Sequence, residues 1–137
     1  MKHMVRMTVR FGEVDGAGIV YYPNFFDYYH RTFEEFFGSC AGIPYDRVLR
    51  EERVGFPAVH VESDFKVPLR HGDVIDVEMV VQRVGESSFT SSYAVRRGGE
   101  TCATASIVTA VINLDTLESM PLPQKYRAAL QQYLTAA

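Results

Sequence analysis

Residues Phe11 to Phe37 read FGEVDGAGIVYYPNFFDYYHRTFEEFF, and two unlike halves meet at Pro23. The first half is a loop, Phe11-Gly12-Glu13-Val14-Asp15-Gly16-Ala17-Gly18, that holds Asp15 among three glycines. The second is dense in aromatics: Phe25, Phe26, Tyr28, Tyr29, Phe33, Phe36 and Phe37. Asn24 is a good N-cap, and Asp27 three positions on can complete a capping box. Asp27, Arg31, Glu34 and Glu35 carry the polar side, with Asp27–Arg31 and Arg31–Glu35 at ion-pair spacing. So much aromatic surface asks for burial on more than one narrow stripe. The stretch predicts a largely buried central helix whose N-terminus points at a loop bearing an acid.

On its N-terminal side, Met4 to Phe11 alternates. Val5, Met7, Val9 and Phe11 share one face and Arg6, Thr8 and Arg10 the other, as in a half-buried strand. On its C-terminal side, Gly38 and Gly42 bracket the helix end, and Ile43 to Arg53 reads as a short second helix. Pro57 to Leu69 predicts a long strand with Val59, Val61, Ser63, Phe65 and Val67 on one face. Pro68 suits its end or an edge. His71-Gly72-Asp73 turns into a strand from Asp73 to Val84, with Ile75, Val77, Met79 and Val81 on one side. Gly85-Glu86 turns again into a Ser/Thr-rich strand, Ser87 to Arg97, and Gly98-Gly99 is a two-residue hairpin signal. Glu100 to Asn113 is the last long strand. Its small residues Ala103, Ala105 and Ser106 leave room for the central helix. Gln124 to Leu134 reads as a terminal helix.

One long apolar helix against mostly hairpin-connected strands gives an α+β protein of two layers. A strongly twisted antiparallel sheet of about five strands can curl round the helix. The sheet edges still need cover, and edge pairing between two copies is the economical solution, so a homodimer or homotetramer is expected.

At 137 residues the whole chain, 1–137, reads as a single domain with one core. An apolar content of 47% argues against disorder, and a net charge of −3 gives no basic field for nucleic acid. Cys40 and Cys102 fit no zinc or redox spacing and read as reduced thiols of a cytoplasmic protein. No apolar run is long enough to span a bilayer, and Met1-Lys2-His3-Met4 lacks the apolar core of a signal peptide. His3, His30, His60 and His71 have no ligand spacing, so no metal and no cofactor is expected.

The pattern Asp15-x-x-Gly18-x-Val20-x-Tyr22-x-Asn24, between a first strand and a long aromatic helix, resembles the hot-dog fold thioesterases of the 4-hydroxybenzoyl-CoA thioesterase type. Pro68-x-x-x-Gly72-Asp73 and Gly85-x-Ser87-Ser88-Phe89 also recur in such proteins. The resemblance implies a hot-dog fold and hydrolysis of an acyl-CoA thioester, with a carrier-protein thioester also open. It implies Asp15 as the catalytic acid and the backbone N–H of Tyr22 as the oxyanion donor. A helix N-terminus suits that task, since its N–H groups are free and its dipole favours negative charge. Pro23 has no N–H to offer. Asp15 can attack the carbonyl or take a proton from water. Carboxylates of ordinary basicity make poor general bases, which leans toward attack.

Glu13, two residues away, does not match the family's catalytic position and reads as solvated charge. His30 sits two turns into the helix, where it is either a core or interface histidine or a contact for a polar or aromatic acyl group. Phe26 is the helix aromatic expected to touch substrate, while Phe56, beside Gly55, is expected to cap the acyl pocket from a partner subunit. Ser88 matches a position that contacts the nucleotide in the aryl-CoA enzymes. Those enzymes can place arginines just before it, where this chain has Gly85, Glu86 and Ser87. Phosphate contacts then fall to Arg83, Arg96, Arg97, Lys66 or Arg70. Two other classes compete: a hot-dog dehydratase or hydratase, which wants a histidine at the helix entrance, and a non-catalytic acyl-CoA binding protein.

Overall fold

The computed structural model describes residues 1–135. Five strands form one antiparallel sheet: β1 (His3–Thr8), β3 (Ala58–Phe65), β4 (Val74–Val84), β5 (Ser88–Arg97) and β6 (Glu100–Ala110), in the order β1-β4-β5-β6-β3. A two-residue pair, β2 (Val54–Gly55) with β7 (Ile112–Asn113), lies apart from it. The long helix α1 (Pro23–Phe36) packs on one sheet face, α2 (Tyr45–Arg47) follows, and α3 (Gln124–Gln131) closes the chain. Among the described residues no helix is long and apolar enough to cross a membrane.

Helix α1 buries Phe25, Tyr28, Tyr29, Thr32, Phe33 and Phe36, a run at i, i+3, i+4, i+7, i+8 and i+11. Each buried aromatic contributes about 1.5–3 kcal/mol by leaving water, which fixes α1 against the sheet more firmly than its propensity. The sheet answers with Ile75, Val77, Met79 and Val81 from β4 and Phe89, Tyr93 and Val95 from β5, all buried. Ala103 and Ala105 lie on the helix side of β6, directly opposite Val95 and Tyr93. Ser106 pairs with Ser92 and faces away from the helix, so only two of the three small residues make room for it.

The helix does not start as its sequence suggests. Asn24 N–H bonds to the Tyr21 carbonyl at 2.8 Å and Phe25 N–H to Tyr22 at 3.1 Å, so the first turn forms upstream of Asn24. Tyr22 occupies the cap position without a side-chain cap, and Pro23, whose fixed φ suits a first turn, opens the helix. The Asn24 amide instead donates to the Glu13 carbonyl at 2.8 Å. At the other end, α1 widens through Phe37–Ala41 and stops at Gly42, whose φ of 76° favours glycine. Residues Tyr45 to Glu52 supply the expected second short helix. Arg31 pairs with Asp27 at 3.8 Å as expected, but its other partner is Glu13 at 3.6 Å and not Glu35.

Two strand readings need correction. Phe11 leaves the first strand for a short 3-10 turn, Phe11–Glu13, and is 78% exposed, with its ring edge against His71. Strand β3 ends at Phe65, ahead of the predicted Leu69. It lies on the sheet edge, where no further strand pairs with it among the described residues. Val61, Ser63 and Phe65 do face the helix side, and Phe65 meets Phe25 at 5.1 Å, yet Val61 and Phe65 stay 40% and 45% exposed because no strand flanks them on the outer side among the described residues. Val59 sits in a register shift between Ala58 and His60 and is 62% exposed. The opposite edge is covered where β1 runs out: Val81 N–H bonds to the Tyr133 carbonyl at 2.9 Å, and Thr135 N–H to Val81 at 2.9 Å. Helix α3 accordingly ends at Gln131, ahead of the predicted Leu134, and Leu134 bridges to Val81.

Candidate active site

Asp15 stands at the tip of a small hairpin whose arms, Val14 and Val20, pair antiparallel. Three bonds close the tip. Asp15 N–H donates to Ile19 at 2.9 Å, Gly18 N–H to the Asp15 carbonyl at 2.9 Å, and Ala17 N–H to Asp15 Oδ1 at 2.8 Å. Gly18 has φ +80°, which is why the motif needs glycine there. The hairpin docks on the segment before β4, where Val20 N–H bonds to Leu69 at 2.8 Å and Ile19 pairs with Arg70. Asp15 is exposed, with Oδ2 unengaged among the described residues.

The second arm of the hairpin runs straight into α1. Tyr21 N–H is taken by the Glu13 carbonyl at 3.0 Å, whereas Tyr22 N–H finds no acceptor among the described residues. With Pro23 next, the tip of α1 presents one free amide at the positive end of its dipole. Beside it lies an apolar cleft of about 250 Å³ walled by Ile19, Val20, Tyr22, Phe25, Phe65 and Leu69. A second cavity, about 330 Å³, continues along α1 and is lined by Phe26, Tyr29, His30, Phe33, Phe56 and Tyr93. The Phe26 and Phe65 rings, 6.2 Å apart, stand between the two. A larger hollow of about 720 Å³ on α1 has charged walls, among them Arg31, Glu34 and Asp46, and does not reach Tyr22 at the helix tip. The apolar pair is therefore the better candidate for an acyl group.

Phe26 lines the second cavity, and so does His30. His30 is not a core residue: its side chain is 53% exposed and its Nε2 lies 3.0 Å from Glu34. Phe56 reaches the cavity from its own chain and not from a partner. It is buried against Phe33, Phe37, Phe89 and Tyr126, because β2 turns it inward beneath α1. Ser88 begins β5 opposite Ala110, at the end of the sheet away from Asp15, so one chain does not bring the two together. Among the basic candidates, Arg96 is engaged by Glu78 at 3.0 Å, and Arg97 by Asp73 at 2.9 Å and Glu100 at 2.8 Å. Lys66 and Arg70 are exposed, flank the hairpin, and make no ion pair among the described residues.

Three features escape the sequence reading. Glu13 is not solvated: its carboxylate accepts from Arg10 N–H at 2.8 Å and from Tyr28 O–H at 2.9 Å. Burial and this carboxylate together push the Tyr28 phenol well above its ordinary range. Tyr29 and Tyr93, 5.4 Å apart, put two neutral phenols in the second cavity, both held protonated by burial. Tyr29 O–H pairs with Ser63 Oγ at 3.0 Å, and Ser91 donates to Tyr93 at 3.2 Å. The only sequence signal for Tyr93 was its place on the inward face of a Ser/Thr-rich strand.

Comparison with known proteins gives the family of the chain. A 1,4-dihydroxy-2-naphthoyl-CoA hydrolase of Prochlorococcus marinus (strain NATL1A) is 32% identical over 132 residues, covering 91% of this chain and 87% of that protein. A solved structure of a gentisyl-coenzyme A thioesterase superposes with a TM-score of 0.83 at 26% identity, covering 90% of this chain and 98% of that one. A 1,4-dihydroxy-2-naphthoyl-CoA thioesterase from Synechocystis, at 23% identity, shares the fold with a TM-score of 0.86 over 96% of each chain. These relatives carry dihydroxynaphthoyl and gentisyl names, which agree with the hot-dog thioesterase resemblance and do not specifically indicate the 4-hydroxybenzoyl subfamily. Residues 9–130 match the family described as the thioesterase-like superfamily, and a chain so covered, with this hot-dog sheet and helix, belongs to that superfamily.

Proposed function

We propose that this protein hydrolyses an acyl-CoA thioester whose acyl group is a hydroxylated aromatic ring. One observation carries the reading: the Asp15 hairpin runs directly into a helix tip with a free Tyr22 N–H, and an apolar cavity leads away along that helix. In this reading Asp15 Oδ2 attacks the thioester carbonyl while Oδ1 stays on Ala17 N–H. The carbonyl oxygen takes up the charge on Tyr22 N–H. The C–S bond breaks, CoA leaves as thiolate and takes a proton from water, and a second water opens the acyl-aspartate to free Asp15 and the acid.

The acyl class follows from the second cavity. Phe33 and Phe56 offer flat apolar walls, while Tyr29, Tyr93 and His30 offer hydrogen bonds to ring oxygens. The relatives named for dihydroxynaphthoyl and gentisyl thioesters support that choice. Lys66 and Arg70 are our candidates for the CoA phosphates. A second copy completes the site. The free edge of β3 pairs antiparallel with its twin, covers Val61 and Phe65, and brings the partner's Ser88 end toward Asp15. We read the chain as one domain of a cytoplasmic homodimer, in keeping with its two free cysteines.

The test is thiol release over a panel of 1,4-dihydroxy-2-naphthoyl-, 2,5-dihydroxybenzoyl-, benzoyl- and hexanoyl-CoA. Hydroxyaryl thioesters should lead benzoyl-CoA by roughly tenfold or more in kcat/KM, the order expected for one well-placed hydrogen bond. Binding without thiol would support a sensor and hydration without thiol a lyase; either would end this reading.

A further inference from the structure

The two groups assigned to chemistry come from different pieces of the chain. Asp15 sits on an exposed turn with Gly16 and Gly18, and Tyr22 N–H sits on a helix tip. The bonds that close this turn and dock it on Leu69 and Arg70 fix it to the sheet side, and none of them reaches α1. We propose that Glu13 is the positioning residue that locks the turn to the helix; the inference rests on the thioesterase reading and adds a residue to it.

The geometry concentrates on this one side chain and its carbonyl. Glu13 Oε1 accepts from Arg10 N–H at 2.8 Å and from Tyr28 O–H at 2.9 Å, while Oε2 lies 3.6 Å from the Arg31 guanidinium. The Glu13 carbonyl accepts from Tyr21 N–H at 3.0 Å and from the Asn24 amide at 2.8 Å. Glu13 thus touches Arg10, which caps its own 3-10 turn, the residue before Tyr22, the first turn of α1, and α1 again at Tyr28 and Arg31. Tyr28 is fully buried, so its hydroxyl is an immobile donor. Both carboxylate oxygens have partners in the fold, which leaves Glu13 to hold the two reacting groups in register. An error of about 1 Å in such a register costs roughly a hundredfold in rate.

The experiment measures kcat and KM for Glu13→Gln, Glu13→Ala, Tyr28→Phe and Glu13→Ala/Tyr28→Phe, beside Asp15→Asn, at a temperature where circular dichroism shows each variant folded. Glu13→Ala should lose about a hundredfold in kcat with KM within threefold. Glu13→Gln keeps the acceptor oxygen for Arg10 and Tyr28 and should recover most of that loss. Tyr28→Phe should fall about tenfold, and the double variant should be no worse than Glu13→Ala, because both remove the same link. A merely structural residue would lower the melting temperature and leave kcat of the folded enzyme within twofold; that result overturns the proposal. So does Glu13→Gln as inactive as Asp15→Asn, which would make Glu13 itself reactive. If Glu13→Ala does not fold, Glu13→Gln and Tyr28→Phe decide. Full activity in Asp15→Asn would instead sink the assignment of Asp15, a separate failure.

Discussion

Replacing Asp15 separates chemistry from architecture, because the structure makes the two costs very different. The residue is exposed and its side chain makes one bond, from Ala17 N–H at 2.8 Å. Asparagine retains that acceptor, so Asp15→Asn should change stability by no more than about 0.5 kcal/mol. Asp15→Ala loses the bond and should cost about 0.5–1.5 kcal/mol. Activity is another matter. Removing the group that attacks or activates the nucleophile should cost at least about 10³-fold in kcat, or about 4 kcal/mol of transition-state stabilisation. The assay is thiol release from the best CoA ester of the panel, run beside urea unfolding of each variant. An asparagine ahead of Gly16 can deamidate back to aspartate, so Asp15→Ala is the control for slow return of activity. If both variants keep kcat within a few fold of wild type while unfolding normally, Asp15 is only a turn former and the mechanism is wrong.

Other expectations reach different parts of the molecule. Burial pushes the His3 imidazole below its ordinary value, against opposing contributions from its Thr32 hydrogen bond and from Glu35. The unfolded chain then binds that proton more readily than the folded one, so the His3 contribution is whole above about pH 6.5 and is lost as pH falls below it. Urea midpoints at pH 7.5 and 5.5 should differ less in His3→Gln than in wild type; an equal difference refutes the assignment. A Cβ on Gly55 would stand 2.6 Å from Leu114 Cδ2 and 3.0 Å from Ile112 Cγ1. Gly55→Ala should therefore destabilise by about 1–3 kcal/mol through overpacking, and an unchanged melting temperature would contradict it. On the β3 edge, Val59→Lys, at an exposed position outside the lining of the acyl cavity, should convert a dimer to monomers in sedimentation and abolish thiol release with it. A monomer of full activity would show that the site needs no second copy.

Much of this protein was legible before any coordinates. The alternation of Ile75, Val77, Met79 and Val81, the Gly98-Gly99 turn and the aromatic spacing of α1 are local properties, and each appears where periodicity puts it. The Asp15 motif was readable for the same reason: Gly18 answers to a backbone angle set within a few residues. What the sequence misjudged were residues whose environment comes from far along the chain. Glu13 looks solvated until Tyr28 and Arg31 arrive from the next element. Phe56 looks free to reach a partner until Phe37, Phe89 and Tyr126 close over it. Val61 and Phe65 share a face as alternation says and still stay 40% and 45% exposed, because alternation reports which face a side chain takes, not whether anything covers that face. Short-range order followed from composition and spacing. Which acid is free to react and which is tied down depended on contacts between distant segments, and only the packed chain supplies those.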